Sequence, residues 1–172
     1  MALLPIIIAP DPRLRMKTVP VDQVDEAARV FMENMLETMY AANGIGLAAP
    51  QVGDDRSVIV VDCARKGEAP VPIKMANPEI IEVSAEQKIH EEGCLSLPEH
   101  YAEVARPKSI RMRYLDDTNI IRELNAEGML ATCIQHEIDH LAGVLFIDHI
   151  SSLKRNMILR KLKKVKKQSS EN

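Results

Sequence analysis

The chain has no tryptophan, two phenylalanines and three tyrosines. Stacked rings therefore cannot fill its core, and nine methionines are the side chains at hand to take up that volume. Cysteine is scarce as well. Three residues, at positions 63, 94 and 133, are too few and too far apart for a disulfide framework and fit a reducing compartment. Long apolar runs are missing. The opening MALLPIIIAPDPRLR is interrupted by Pro5 and Pro10 with no basic residues ahead of it, so it does not read as an export signal, and nothing approaches the roughly 18 to 20 apolar residues that a membrane span needs. The expectation is a soluble, unprocessed cytoplasmic protein without a membrane partner. With 172 residues, 46% of them hydrophobic, there is material for about one domain with a proper core.

The net charge of −3 hides an asymmetry. From Ser151 onward eight Lys or Arg face a single acid, Glu171, whereas the first 150 residues carry 14 basic and 24 acidic groups. An acidic body does not suit broad nucleic-acid binding, and a basic tail over about 151–172 implies a separate task for that segment.

Pro-rich residues 1–21 predict an extended arm wrapping the surface, with Pro20 turning Val19 away from helix. A long helix is expected over about 22–42. Val24, Ala28, Phe31, Met35 and Met39 recur at helical spacing, and Asn43-Gly44 is a stop signal. The segment Gly44-Ile45-Gly46-Leu47-Ala48-Ala49-Pro50-Gln51 differs in kind: small residues let a backbone pass close to something, around one amide side chain. That amide either satisfies neighbouring backbone or donates to a substrate. A phosphate loop is excluded by the missing G-K-[ST] ending and the preceding helix. Residues 56–62 read as a buried strand and 71–90 as further strands broken at Asn77-Pro78. The stretch around Cys94 (Glu91-Glu92-Gly93-Cys94-Leu95-Ser96-Leu97-Pro98) reads as irregular backbone fixed around one thiol. Residues 101–124 read as two β segments joined by a polar turn at 116–119. Without repeats or a linker, the expectation is a single α+β domain over 1–172.

The chemistry concentrates in Gln135-His136-Glu137-Ile138-Asp139-His140. On a helix, residues four apart share a face, so His136 and His140 can offer two imidazoles to one metal ion. Glu137, rotated by about 100°, stands beside that ion as a proton acceptor. Leu130, Ala131, Ile134, Ile138 and Leu141 supply helical periodicity, with Asn125 expected as the cap. A catalytic site needs a third protein ligand. The metzincin continuation fails because Phe146 stands where its third histidine belongs and His149 comes three positions late. Thiols are the natural alternative. Cys133 shares the histidine face but lies about 7.5 Å short along the axis, and its side chain leans away from the ion. Cys63 reads as a small core residue. Cys94 is the best choice.

With these pieces assembled the chain resembles bacterial peptide deformylase over nearly its whole length. GIGLAAPQ, EGCLS and QHEIDH occur in that family's order and are specific together. The resemblance implies removal of the formyl group from the N-terminal formylmethionine of nascent chains. It implies a metal on Cys94, His136 and His140, commonly ferrous iron and replaceable by nickel, cobalt or zinc, with Glu137 as general base. Gln51 and the Leu95 N–H are expected to hold the developing oxyanion. Substrate contacts are expected at Gly44, Ile45, Gly46, Gly93, Met129 and Cys133, with Ile45, Met129, Cys133 and His136 walling the methionine pocket. An ion pair between Asp139 and Arg106 is expected too, and docking of the basic C-terminal helix to the ribosome near the exit tunnel. His90 and Tyr101 depart from the family's pattern. The implied fold is α+β, with antiparallel strands around a central metal-binding helix between a long N-terminal and a C-terminal helix.

Overall fold

In the computed structural model, which describes residues 1–171, two antiparallel sheets enclose one helix. The strands are β1 (Gly46–Ala48), β2 (Val58–Val61), β3 (Ile73–Val83), β4 (Gln87–Cys94), β5 (Leu97–Pro107), β6 (Ser109–Leu115) and β7 (Ile121–Glu127). The helices are α1 (Glu26–Ala41), α2 (Gly128–Leu141) and α3 (Ser152–Ser170). One sheet runs β1-β2-β3-β6-β7 and the other is the β4-β5 hairpin. The expected α+β class is the observed one, with α2 at the centre.

Strand β2 explains the layering. All four of its residues are buried, which in an antiparallel sheet requires cover on both faces. Val58 and Val60 pack with Met32, Met35 and Met39 of α1, while Ile59 and Val61 pack with Ala131, Cys133 and Ile134 of α2. Period-two alternation thus hands one strand to two helices. Methionine does take the place of rings: Met32, Met35, Met39, Met75 and Met112 are completely buried.

The N-terminal arm is extended apart from a 3-10 turn at Pro12–Arg15. Its backbone N–H groups at Ile7 and Ala9 donate to the carbonyls of Gln51 (2.7 Å) and Ser96 (2.8 Å), tying together two segments distant in sequence. Ile7, Ala9 and Leu14 then share a core with Leu97, Phe146, Ile147 and Leu162. In α3, Leu162 and Ile158 turn toward that core, whereas Leu153, Met157 and Val165 are exposed.

Several boundaries differ from expectation. The first helix begins at Glu26, because the Asp25 side chain accepts from Ala28 N (2.8 Å) and caps it there. The small-residue segment contains strand β1 and a 3-10 turn over Ala49–Val52. Asn77-Pro78 does not break β3; the register slips between Ala76 and Glu79 and the strand continues, a bulge absorbing the proline. The backbone up to Cys94 is strand, and the expected irregularity is confined to a register shift between Gly93 and Cys94 and the turn at Leu95-Ser96. Residues 101–124 belong to three strands, not two. Asn125 does not cap the metal helix: it pairs with Arg111 inside β7, and the helix starts only after Glu127, at Gly128 with φ +64. Glu127 stands at the cap position without a side-chain cap bond, and the Gly128 N–H donates to the Lys108 carbonyl at 3.3 Å.

Candidate metal centre

Helix α2 is buried almost all round, from Ala131 through Glu137 and again at His140 and Leu141, which marks it as a core element rather than a surface helix. It can lie this deep because β1 is small where they meet. A Cβ added at Gly46 would stand 2.5 Å from Glu137 Oε1 and 2.8 Å from Cys133 Sγ, so only glycine allows this approach.

The β4-β5 hairpin brings its end against the helix. Cys94, His136 and His140 each offer a ligand atom within 4.8 Å of the others, the one such group among the described residues. Cys94 Sγ lies 3.4 Å from His140 Nε2. Cys63 and Cys133 stay outside the group; Cys133 contacts the Ile45 carbonyl at 3.5 Å, and Cys63 packs beside it. His90 is also outside, its Nε2 buried without a hydrogen-bond partner.

Electrostatics suit a cation. His136 Nδ1 meets Glu92 Oε1 at 2.9 Å, so Nδ1 donates to the carboxylate and Nε2 is the nitrogen left for a metal, which would displace its proton. Burial would lower the His136 pKa, yet hydrogen bonds to Cys94 and Glu92 raise it well above the ordinary value. The anionic surroundings draw positive charge to this spot. Burial holds His140 well below its usual value, leaving it neutral as a ligand must be. Its Nδ1 and Glu137 Oε2 are buried with no hydrogen-bond partner, and such orphaned atoms are rare unless a ligand or water serves them. Soft sulfur, two imidazoles and a nearby carboxylate fit a divalent transition metal better than the oxygen-seeking calcium or magnesium.

Glu137 is buried, and desolvation pushes its carboxyl up to about 7. Gln51 is 1% exposed and satisfies neighbouring backbone, the first of the two alternatives: Oε1 accepts from Ala48 N (2.9 Å), while Nε2 donates to Ser96 Oγ (3.1 Å) and lies 3.5 Å from Cys94 Sγ. A cleft of about 410 Å³ opens over the group, lined by Gly44, Ile45, Gly46, Gln51, Gly93, Leu95, Tyr101, His136 and Glu137 among others. Met129 lies 47% exposed in the first turn of α2, and neither it nor Cys133 lines this cleft; Cys133 sits behind Gly46.

The sequence analysis assigns no part to Glu92, yet it is 5% exposed and joins His136 to Arg106, whose Nε and Nη2 donate to it at 2.6 and 3.0 Å. The signal was present: in a strand, residue 92 shares the face of Cys94. The expected pairing of Arg106 with Asp139 is present at 2.9 Å. Phe146, where a metzincin would have its third histidine, stacks on the His136 ring, centroids 6.1 Å apart.

Comparison with known proteins agrees with this geometry. The family model described as polypeptide deformylase matches residues 3–156. The peptide deformylase of Mesorhizobium japonicum is 53% identical over 97% of this chain and 95% of its own length; that of Methylocella silvestris is 56% identical over 97% and 87%. A crystal structure of peptide deformylase from Ehrlichia chaffeensis superposes with a TM-score of 0.93 at 36% identity, covering 98% of this chain and 99% of that one. A second structure from that organism, in complex with actinonin, gives 0.91 at 38% identity over 95% and 98%.

Proposed function

The chain belongs to the polypeptide deformylase family, and from that premise we propose how its residues hydrolyse the N-terminal formyl group of nascent polypeptides to formate. The observation that carries the reading is the convergence of Cys94, His136 and His140 beside a buried carboxylate with one unpartnered oxygen. A divalent metal on these three ligands would supply a Lewis acid that lowers the pKa of water; the resemblance to the family implies ferrous iron in the cell, and the Cys-His-His donor set accommodates nickel, cobalt or zinc as well.

Glu137 takes a proton from the water that attacks the formyl carbon and returns it to the departing amine. The amide N–H of Gln51 and the backbone N–H of Leu95 donate to the carbonyl oxygen as charge builds there, one such donor being worth about 3 kcal/mol in the transition state. Glu92 keeps the His136 ring in the tautomer that faces Cys94. Gly44, Ile45, Gly46 and Gly93 let the substrate backbone lie close, and the methionine side chain enters between Ile45 and His136, with Cys133 behind the wall. Residues 1–172 act as one catalytic unit, in the cytoplasm where formylated chains emerge; among the described residues no helix is long and apolar enough to cross a membrane. The exposed Leu153, Met157 and Val165 of α3, set among lysines, serve as a contact with the ribosome.

The test of the chemistry is formate release from formyl-Met-Ala by anaerobically purified protein, with elemental analysis of the same sample. Activity without stoichiometric transition metal would overturn the ligand assignment. For the tail, truncation after Leu162 keeps the residue that docks α3 and should weaken ribosome co-sedimentation in low salt while sparing activity on short peptides. Electrostatic binding of this kind falls steeply with salt.

A further inference from the structure

His149 comes too late in the chain to be a metzincin ligand and lies outside the Cys94, His136 and His140 group. Its Nε2 lies 2.8 Å from Asp139 Oδ2, the same oxygen that accepts from Arg106 Nη1 at 2.9 Å. Arg106 in turn grips both oxygens of Glu92, and Glu92 Oε1 meets His136 Nδ1 at 2.9 Å. Five side chains thus form one unbroken hydrogen-bonded path. It starts at a side chain 37% exposed and ends at one 9% exposed.

We propose that His149 is a positioning residue for the metal centre, acting through Asp139, Arg106 and Glu92 to fix the orientation of the His136 ring. The inference rests on the assignment of His136 as a ligand. Three features support a positioning role over a surface decoration. Arg106 has its Nε and Nη2 committed to Glu92 and its Nη1 to Asp139, so the plane of the guanidinium is set by where Asp139 sits. Asp139 Oδ2 is held from two sides, and the donor that comes from outside α2 and the β4-β5 hairpin is His149. The short turn Phe146–His149 also presses Phe146 onto the face of the same His136 ring, so one turn sets the ring by its face and by its Nδ1 partner. Chains of hydrogen bonds in a buried, low-dielectric setting strengthen one another, and partners of metal-binding histidines typically govern affinity and activity about 10- to 100-fold. His149 stands further out, so a smaller factor is expected.

The experiment compares His149→Leu, which removes the donor, with His149→Gln, which keeps an N–H at similar reach. Wild type and variants are loaded with cobalt(II) without oxygen, and loss of cobalt to excess EDTA is timed. Steady-state rates on formyl-Met-Ala are measured on the same preparations. The expected result is cobalt release faster by about three- to tenfold for His149→Leu, a matching fall in kcat with KM little changed, and both restored to within about twofold by glutamine. In an Asp139→Ala background, which removes the shared acceptor, His149→Leu should add nothing further, because residues on one path are not additive. Should the leucine variant fail to fold, His149→Ser, too short to reach Asp139, takes its place. Wild-type retention together with unchanged release from the leucine or serine variant overturns the positioning role alone, as does an undiminished effect in the Asp139→Ala background. A wild-type chain that holds no cobalt overturns the ligand assignment beneath it.

Discussion

Replacing Gly46 by alanine tests the approach of β1 to α2 with a single methyl group. The new Cβ would stand 2.5 Å from Glu137 Oε1, 2.8 Å from Cys133 Sγ and 2.9 Å from Glu137 Cδ, where ordinary contacts need about 3.5 Å or more. About 1 Å of relief is therefore required. Helix α2 cannot supply it as a unit, because Ala131 and Ile134 are fixed in the core with Ile59 and Val61 and the helix is tied by His136 and Asp139 to Glu92 and Arg106. The Glu137 carboxylate is the group free to swing. Overpacking of this kind costs about 1–3 kcal/mol, and for a chain of this size about 2 kcal/mol lowers Tm by roughly 4–8 °C. The larger effect falls on turnover, since a 1 Å misplacement of a catalytic group costs about 10²-fold. Circular-dichroism melts and formate release coupled to a formate dehydrogenase give both numbers, with metal content measured alongside. Metal content should hold while kcat falls. A Gly46→Ala variant with wild-type kcat would refute both the close approach and the role given to Glu137.

Glu137→Ala should retain its metal and lose about 10²- to 10⁴-fold in kcat; loss of metal in that variant would show the carboxylate to be a ligand. Cys94→Ala should lose metal and activity together, whereas Cys133→Ala should keep the metal and shift the side-chain preference at the first residue, and the reverse outcome would undo the choice between the thiols. Arg106→Leu takes the guanidinium from Glu92, 5% exposed, and leaves His136 Nδ1 as its remaining partner; breaking a buried ion pair costs about 3–5 kcal/mol. Urea denaturation would measure it, and adding Glu92→Gln should recover much of the loss; a single variant as stable as wild type is incompatible with the buried pair.

The parts of the site legible in the sequence are those whose geometry is local. His136 and His140 lie on one face because the helix repeats every 3.6 residues or so, and Cys133 is excluded as a ligand by rise along the same axis. The N-terminal helix announced itself by periodicity, and the basic α3 by composition. Boundaries failed where tertiary pairing overrode local signals: Asn125 looks like a cap and became a strand residue paired with Arg111, and Asn77-Pro78 looks like a break and became a bulge. Whether a segment continues as a strand or opens a helix depends on which partner strand lies beside it, and that strand is brought there by residues far away in the chain.

By itself the sequence determined the chemistry of the centre: two imidazoles one helical turn apart, a carboxylate between them, and a thiol set in a motif of its own. Only the tertiary structure decided what holds these groups in place. The arm carbonyl contacts at Gln51 and Ser96, the fit of Gly46 against Glu137, and the path from His149 through Asp139, Arg106 and Glu92 to His136 join residues on separate elements. Such contacts depend on strand register and on how closely a helix can approach a sheet. Both are set by the packing of the whole core, and no local spacing encodes them.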